Sequence, residues 1–228
     1  MSIRELFKPN KYWVLNNLEM RYDFKFDPIV AYLDNTQEMI HKQERELSEK
    51  YEEWNKEHQH DTEVPEAYDI FETEILNSSE FPIIMNHSIY LTIYSIFEKE
   101  FFNLCMWCQS AENLKIGPKD IKERNYLGQC HKFITLVLEV ELTQLDNQWT
   151  TINKFQQIRN AIAHNNGAVK PTNSELITFI NDSDGISIDE RNTTLEIKSI
   201  EFLKYMIQQF SNFLLDTSNV IQTAKGNT

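Results

Sequence analysis

Glycine and proline are scarce in this chain, at five and six of 228 residues. All-β folds use both at frequent turns, so their scarcity argues for long helices. No run of about 18 apolar residues occurs, so no transmembrane helix is expected. The opening Met1-Ser2-Ile3-Arg4-Glu5-Leu6 has no apolar signal-peptide core, which argues against export. There are three cysteines, an odd number that favours reduced thiols in a cytoplasm over a disulfide framework. Phosphate loops, dinucleotide fingerprints, nucleophile elbows and His-Glu-x-x-His motifs are all missing, which leaves kinase, ATPase, hydrolase and zinc-protease chemistry without support.

Positive charge is also in short supply. The net charge is −13, which argues against a broad, non-specific nucleic-acid binder. The imbalance is local, however. Residues 34–80 hold 15 acids and 4 bases, a net −11, whereas residues 81–169 sum to zero. Most of the acidity therefore belongs to one N-terminal arm.

Residues 1–33 are aromatic-rich (Phe7, Tyr12, Trp13, Tyr22, Phe24, Phe26, Tyr32) and are expected to pack on the body. Residues 34–60 read as a long charged helix, with Glu38–Lys42, Glu46–Lys50 and Glu52–Lys56 as i,i+4 pairs. Pro65 opens a short helix to Leu76, which Asn77-Ser78-Ser79 breaks. Pro82 then suits the first turn of a helix to about Glu112, apolar nearly all round and so central to a bundle. After a turn at Gly117-Pro118, residues 119–145 read as helical, with Phe133, Ile134, Leu136, Val137, Leu138 and Val140 inside. Asp146-Asn147 breaks the chain, and Thr150 or Thr151 is expected to cap the next helix. Leu176–Ile180 and Ile186–Ile188, around a turn at Asn181–Gly185, read as a hairpin, and Leu195-Glu196-Ile197 as a further short strand. A helix from Ser199 to about Gln222 closes the chain. The expected fold is all-α, a helical bundle with a short β-hairpin inserted before the C-terminal helix. It divides into an N-terminal helical extension with an acidic arm (1–80) and a helical domain (81–228).

The most informative stretch is Ile158-Arg159-Asn160-Ala161-Ile162-Ala163-His164-Asn165-Asn166-Gly167. Arg can hold a phosphate or a developing phosphorane, and His moves protons near neutral pH. Spacing alone does not single it out, because Arg124 and His131 form a second Arg…His pair with Asn125 after the Arg. That copy is interrupted by Gly128, which costs about 1 kcal/mol in a helix interior. The Arg159 copy runs unbroken to Asn165-Asn166-Gly167, a C-terminal stop. At about 100° per residue, Ile152, Phe155, Ile158 and Ile162 share an apolar face with Arg159 at its edge. Asn153, Gln157, Asn160 and His164 form an opposite polar stripe, and His164 lies about 140° from Arg159. One straight helix does not easily bring Arg159 and His164 together.

This stretch resembles the RxxxxH motif of the HEPN superfamily, many of whose members are endoribonuclease toxins and antiphage effectors. A looser likeness lies in Ser95-Ile96-Phe97-Glu98-Lys99-Glu100-Phe101, which is similar to the acidic-aromatic segment of the upstream core helix in HEPN domains. The resemblance covers about residues 81–222. It implies a HEPN-like bundle, a homodimer whose two motifs meet in a cleft, and metal-independent cleavage of RNA through its own 2′-OH, with no cofactor. The catalytic group it implies is His164 as general base or acid, Arg159 stabilising the phosphorane, and Asn160 positioning a phosphate oxygen or the imidazole. Glu98 would orient Arg159, with Ser95 and Asn165 as further supporting residues. Products would be a 2′,3′-cyclic phosphate and a 5′-OH end, and DNA would not be cut. Some relatives are silenced when a partner antitoxin modifies a Tyr two residues after the His. Asn166 stands there in this chain, so an antitoxin or regulatory partner would have to act by binding. The competing expectation is a catalytically silent HEPN-like dimerisation module that binds a partner or a nucleotide in a defence system.

Cys105 and Cys108, with Cys130 and His131 downstream, make four potential zinc ligands. The first two sit inside an apolar helix and the last two are adjacent, so these are read as core residues and no metal site is expected.

Overall fold

The structure is a computed structural model that describes residues 11–60, 64–189 and 193–226. The expectations for Met1–Leu6 and Phe7 lie outside the described residues. The architecture is all-α with one short hairpin before the final helix, as expected. The α-helices are α1 (Leu18–Glu57), α2 (Ala67–Ala111), α3 (Tyr126–Lys132), α4 (Asp146–Asn165), α5 (Ser174–Asn181) and α6 (Ile200–Lys225). The strands are β1 (Ile186–Asp189) and β2 (Thr194–Ile197). The described residues form two compact units, one of residues 11–27, 92–160 and 205–226, the other of residues 28–60, 64–91, 161–189 and 193–204.

In the first unit an aromatic cluster joins three helices. Phe97 of α2 stacks on Phe210 of α6 at 3.9 Å, and Phe155 of α4 meets the same ring edge-on at 5.4 Å. Such pairs add about 0.5–1.5 kcal/mol each beyond the area they bury. Ile152, Phe155 and Ile158 are fully buried and Ile162 is half-buried, so the motif helix is anchored on the face its periodicity indicated, less fully toward its C-terminal end. Arg21 of α1 reaches Glu100 of α2, with Nε at 2.8 Å, and its guanidinium lies over the Trp107 ring. In the second unit β1 and β2 pair antiparallel, with Ile186 opposite Ile197, and Tyr90 stacks on Phe202. Asn86 Nδ2 donates to the Ile197 carbonyl at 2.8 Å, tying α2 to the hairpin.

Several elements differ from the sequence reading. The charged helix begins at Leu18 rather than residue 34 and passes through Pro28. Tyr12, Tyr22 and Phe26 are buried as expected, but Trp13, Phe24 and Tyr32 face solvent. Leu18, Tyr22 and Phe26 recur every four residues and claim the inner face, which turns Phe24 outward. Lys42 pairs with Glu46 at 3.7 Å, a pair not expected, while the expected Glu52–Lys56 pair is present at 3.9 Å. Asn77-Ser78-Ser79 does not break α2, and Pro82 lies in its interior rather than its first turn. Ser79 Oγ donates to the Leu76 carbonyl and Ser88 Oγ to that of Ile84, so these hydroxyls bond back within the helix instead of stopping it. Residue 80, the expected domain boundary, falls within α2.

Residues 119–145 are only partly helical. Asn125 caps α3 by accepting from Gly128 N at 2.8 Å, and a π-turn at Phe133–Val137 ends the run. Phe133, Ile134, Leu138 and Val140 are buried, but Leu136 is exposed and Val137 only half-buried. α4 starts at Asp146, a residue expected to break the chain. Thr150 and Thr151 donate to the carbonyls four residues back instead of capping. Leu176–Ile180 is helix α5, not a strand. Asn173 caps it, accepting from Leu176 N at 3.4 Å, and Leu176 and Ile180 are buried one turn apart. The hairpin is formed instead by Ile186–Asp189 with the segment expected as an extra strand.

Candidate functional site

The motif helix ends as its sequence dictates. Asn166 and Gly167 take positive φ, 50° and 82°, and Gly167 N donates to the Ala161 carbonyl at 2.9 Å. This bond, between residues six apart, closes the last turn. Gly167 O then accepts from Leu195 N of β2 at 2.9 Å, so the stop is pinned to the hairpin. A Cβ at Gly167 would meet Thr194 Cγ2 at 3.1 Å and the Leu195 carbonyl at 3.3 Å. Glycine is required there on two counts, backbone conformation and space.

Arg159 lies half-buried at the edge of the apolar face, where the sequence placed it. Its guanidinium carbon is 5.9 Å from the centre of the Tyr94 ring, and Nη1 donates to Asn160 Oδ1 at 3.2 Å. Glu98, one helical turn from Tyr94, is half-buried in the same neighbourhood. Burial raises its carboxyl above the usual range, and the charge of Arg159 opposes that rise. The charge of Arg159 thus acts on Glu98 but is outweighed by desolvation. Burial pushes the Tyr94 hydroxyl far up, with Glu98 adding to the effect and Arg159 opposing it. Gln156 sits beside that hydroxyl without meeting it in hydrogen-bond geometry.

The structure thus brings together Arg159, Asn160, Glu98 and Tyr94. Ser95 is exposed on α2. His164 and Asn165 are exposed in the last turn of α4, and the Asn165 carbonyl accepts from Ala168 N at 2.9 Å. In the competing pair, Arg124 precedes the cap of α3 and so is not on the helix that carries His131.

Sequence reasoning missed two residues. Tyr94 read as ordinary core, and nothing in the sequence marks it as the surface under Arg159. His87 read as one polar position of α2. Its ring bonds to the Leu195 backbone, its Nε2 is buried with no hydrogen-bond partner, and its Cε1 lies 3.6 Å from where a Cβ on Gly167 would be. Burial lowers its pKa, with the Leu195 bond and Glu196 opposing. The adjacent polar pair Asn86-His87 in an apolar helix was the available signal.

Cys105, Cys108 and Cys130 are buried and reduced, and Cys105 Sγ approaches the Cys130 carbonyl at 3.8 Å. His131 stacks on Trp149 at 4.5 Å. Among the described residues no cluster of three or more His, Cys, Asp or Glu is placed to hold a metal ion, and no helix is long and apolar enough to cross a membrane. No family model matches this chain, nor does any curated protein or solved structure.

Proposed function

We propose that this protein is a metal-independent endoribonuclease of HEPN type, a toxin or defence effector working in the cytoplasm as a homodimer. The observation that carries the proposal is the string from Ile158 to Gly167 on a continuous helix, with Arg159 held at a core edge and His164 exposed before a left-handed stop. An exposed imidazole can reach a substrate, and a held guanidinium keeps its charge in place without reorganising. In the proposed reaction the RNA 2′-OH attacks the adjacent phosphorus. His164 takes the hydroxyl proton or delivers one to the departing 5′-oxygen, and the bond from phosphorus to that oxygen breaks. Arg159 stabilises the added negative charge on the phosphorane, and Asn160 fixes the guanidinium. Tyr94 and Glu98 position Arg159. A second copy supplies the other half of the catalytic group, and an antitoxin partner would silence the enzyme by binding.

The test is incubation of the purified protein with total cellular RNA in EDTA, beside an Arg159→Ala/His164→Ala double variant. Discrete fragments with 2′,3′-cyclic phosphate ends from the wild type alone are expected. RNA left intact by both proteins refutes intrinsic nuclease activity.

One observation favours a second reading. The Arg159 guanidinium is already engaged by Tyr94 and Asn160, as a purely structural arginine would be. A silent, partner-binding bundle requires nothing of Arg159 beyond that arrangement. Under it, Arg159→Ala lowers the melting temperature and no condition reveals RNA cleavage.

A further inference from the structure

In the second unit, α1 and α2 enclose a groove of about 560 Å³. Its apolar lining includes Met39 and Leu47 of α1 and Phe81 and Ile84 of α2. Met39 is 45 % exposed, Phe81 46 % and Ile84 62 %. Grouped apolar side chains this open to water mark an interaction surface. Around them stand Glu44, Glu46, Glu74 and Glu80, against Lys50 as the single basic lining residue. Residues 34–80, which supply all of this lining but Phe81, Pro82 and Ile84, carry a net −11.

We infer that this groove is a docking site for a basic amphipathic helix of another protein. The apolar floor selects a hydrophobic stripe, and the acidic rim selects lysine and arginine beside it. Between Met39 and Lys50 the groove follows α1 for about 17 Å, some three turns, which suits anchors at i, i+3 or i+4, and i+7. A second copy of this chain is disfavoured, because it would bring one strongly acidic arm against another. Nucleic acid is repelled by the same field. The inference goes beyond the nuclease proposal and does not depend on it, since its readouts involve no RNA.

The probe is a fluorescent peptide of about 18 residues, about five helical turns, with leucines at i, i+3, i+4 and i+7 spacing and lysines elsewhere. It is titrated against the full chain and followed by anisotropy. One comparator has the same composition with its stripe scrambled, and another has glutamate in place of lysine. The basic amphipathic peptide is expected to bind at least tenfold more tightly than either comparator, with affinity that falls as salt rises. Ile84→Asp should weaken it at least tenfold. Glu44→Gln with Glu74→Gln, at two exposed positions, should weaken it and flatten the salt dependence. Thermal melts by circular dichroism identify any variant that has lost its fold, and the glutamate pair then carries the comparison. Equal binding of the scrambled or the acidic peptide overturns the inference, as does full affinity in either variant. So does a dimer, seen by sedimentation, that Ile84→Asp abolishes, because the occupant would then be a second copy.

Discussion

Glu100 carries a nearly inaccessible carboxylate, and Arg21 holds it through Nε at 2.8 Å. Deleting one partner of a buried pair costs far more than the pair contributes, because the surviving charge stays buried. Arg21 itself is partly exposed and Asn103 Nδ2 also donates to Glu100 at 3.4 Å, so Arg21→Ala should destabilise the fold by about 1–3 kcal/mol, measured by urea unfolding. Gly167→Ala should cost about 1–3 kcal/mol by a different route, a left-handed φ of 82° combined with the approach to Thr194. An effect below about 0.5 kcal/mol would mean that the stop of α4 is not pinned as described. His87 and His131 both have pKa values lowered chiefly by burial from the usual 6.5. The unfolded chain then takes up protons first as the pH falls, so stability is full above about 6.5 and declines below it. Denaturant midpoints measured from pH 7.5 down to 5 should show this loss, and His87→Gln/His131→Gln should flatten it. A wild-type midpoint unchanged across that range would contradict the burial assigned to these rings.

At the scale of the helices, proline is the informative residue. Pro28 sits inside α1, where it leaves the Phe24 carbonyl without its helical donor, while Phe24 itself is 72 % exposed. Pro28→Ala restores that donor and should stabilise by about 1–3 kcal/mol, or about 2–4 °C in Tm per kcal/mol. Pro82, inside α2, also shows where reading the sequence fell short. A proline following Asn-Ser-Ser is a strong local stop, yet the apolar face of α2 continues past it, and packing outweighs the missing hydrogen bond. Leu176–Ile180 failed for the opposite reason. A short apolar run has no distinguishing period, and the cap from Asn173 decided for helix. What was legible rested on long periodicity, namely the bundle, the motif helix with its buried Ile152, Phe155 and Ile158, and the Asn-Gly stop. The edge position of Arg159 followed from the same period. Its contact with Tyr94 did not, because that pairing joins residues 65 positions apart in the chain, and nothing local encodes it.

For the molecule as a whole, the net −13 is concentrated where α1 and the start of α2 run. Self-repulsion of that segment should be relieved as ionic strength rises from about 0.01 to about 0.15 M, over which the Debye length falls from about 30 to about 8 Å. A rise in Tm over that range is expected, and a fall would show that ion pairs such as Lys204–Asp34 outweigh the repulsion. The three cysteines have a practical consequence of another kind. All are buried, and burial raises the Cys105 and Cys108 thiols well above their usual range. The native chain should therefore ignore maleimides and Ellman's reagent and yield its three thiols only in denaturant. A cysteine introduced at an exposed position outside the proposed catalytic group, such as Ser48 or Asn212, would then be the single reactive thiol on a native background, so spin labels, dyes and cross-linkers can be placed one site at a time without removing any natural cysteine.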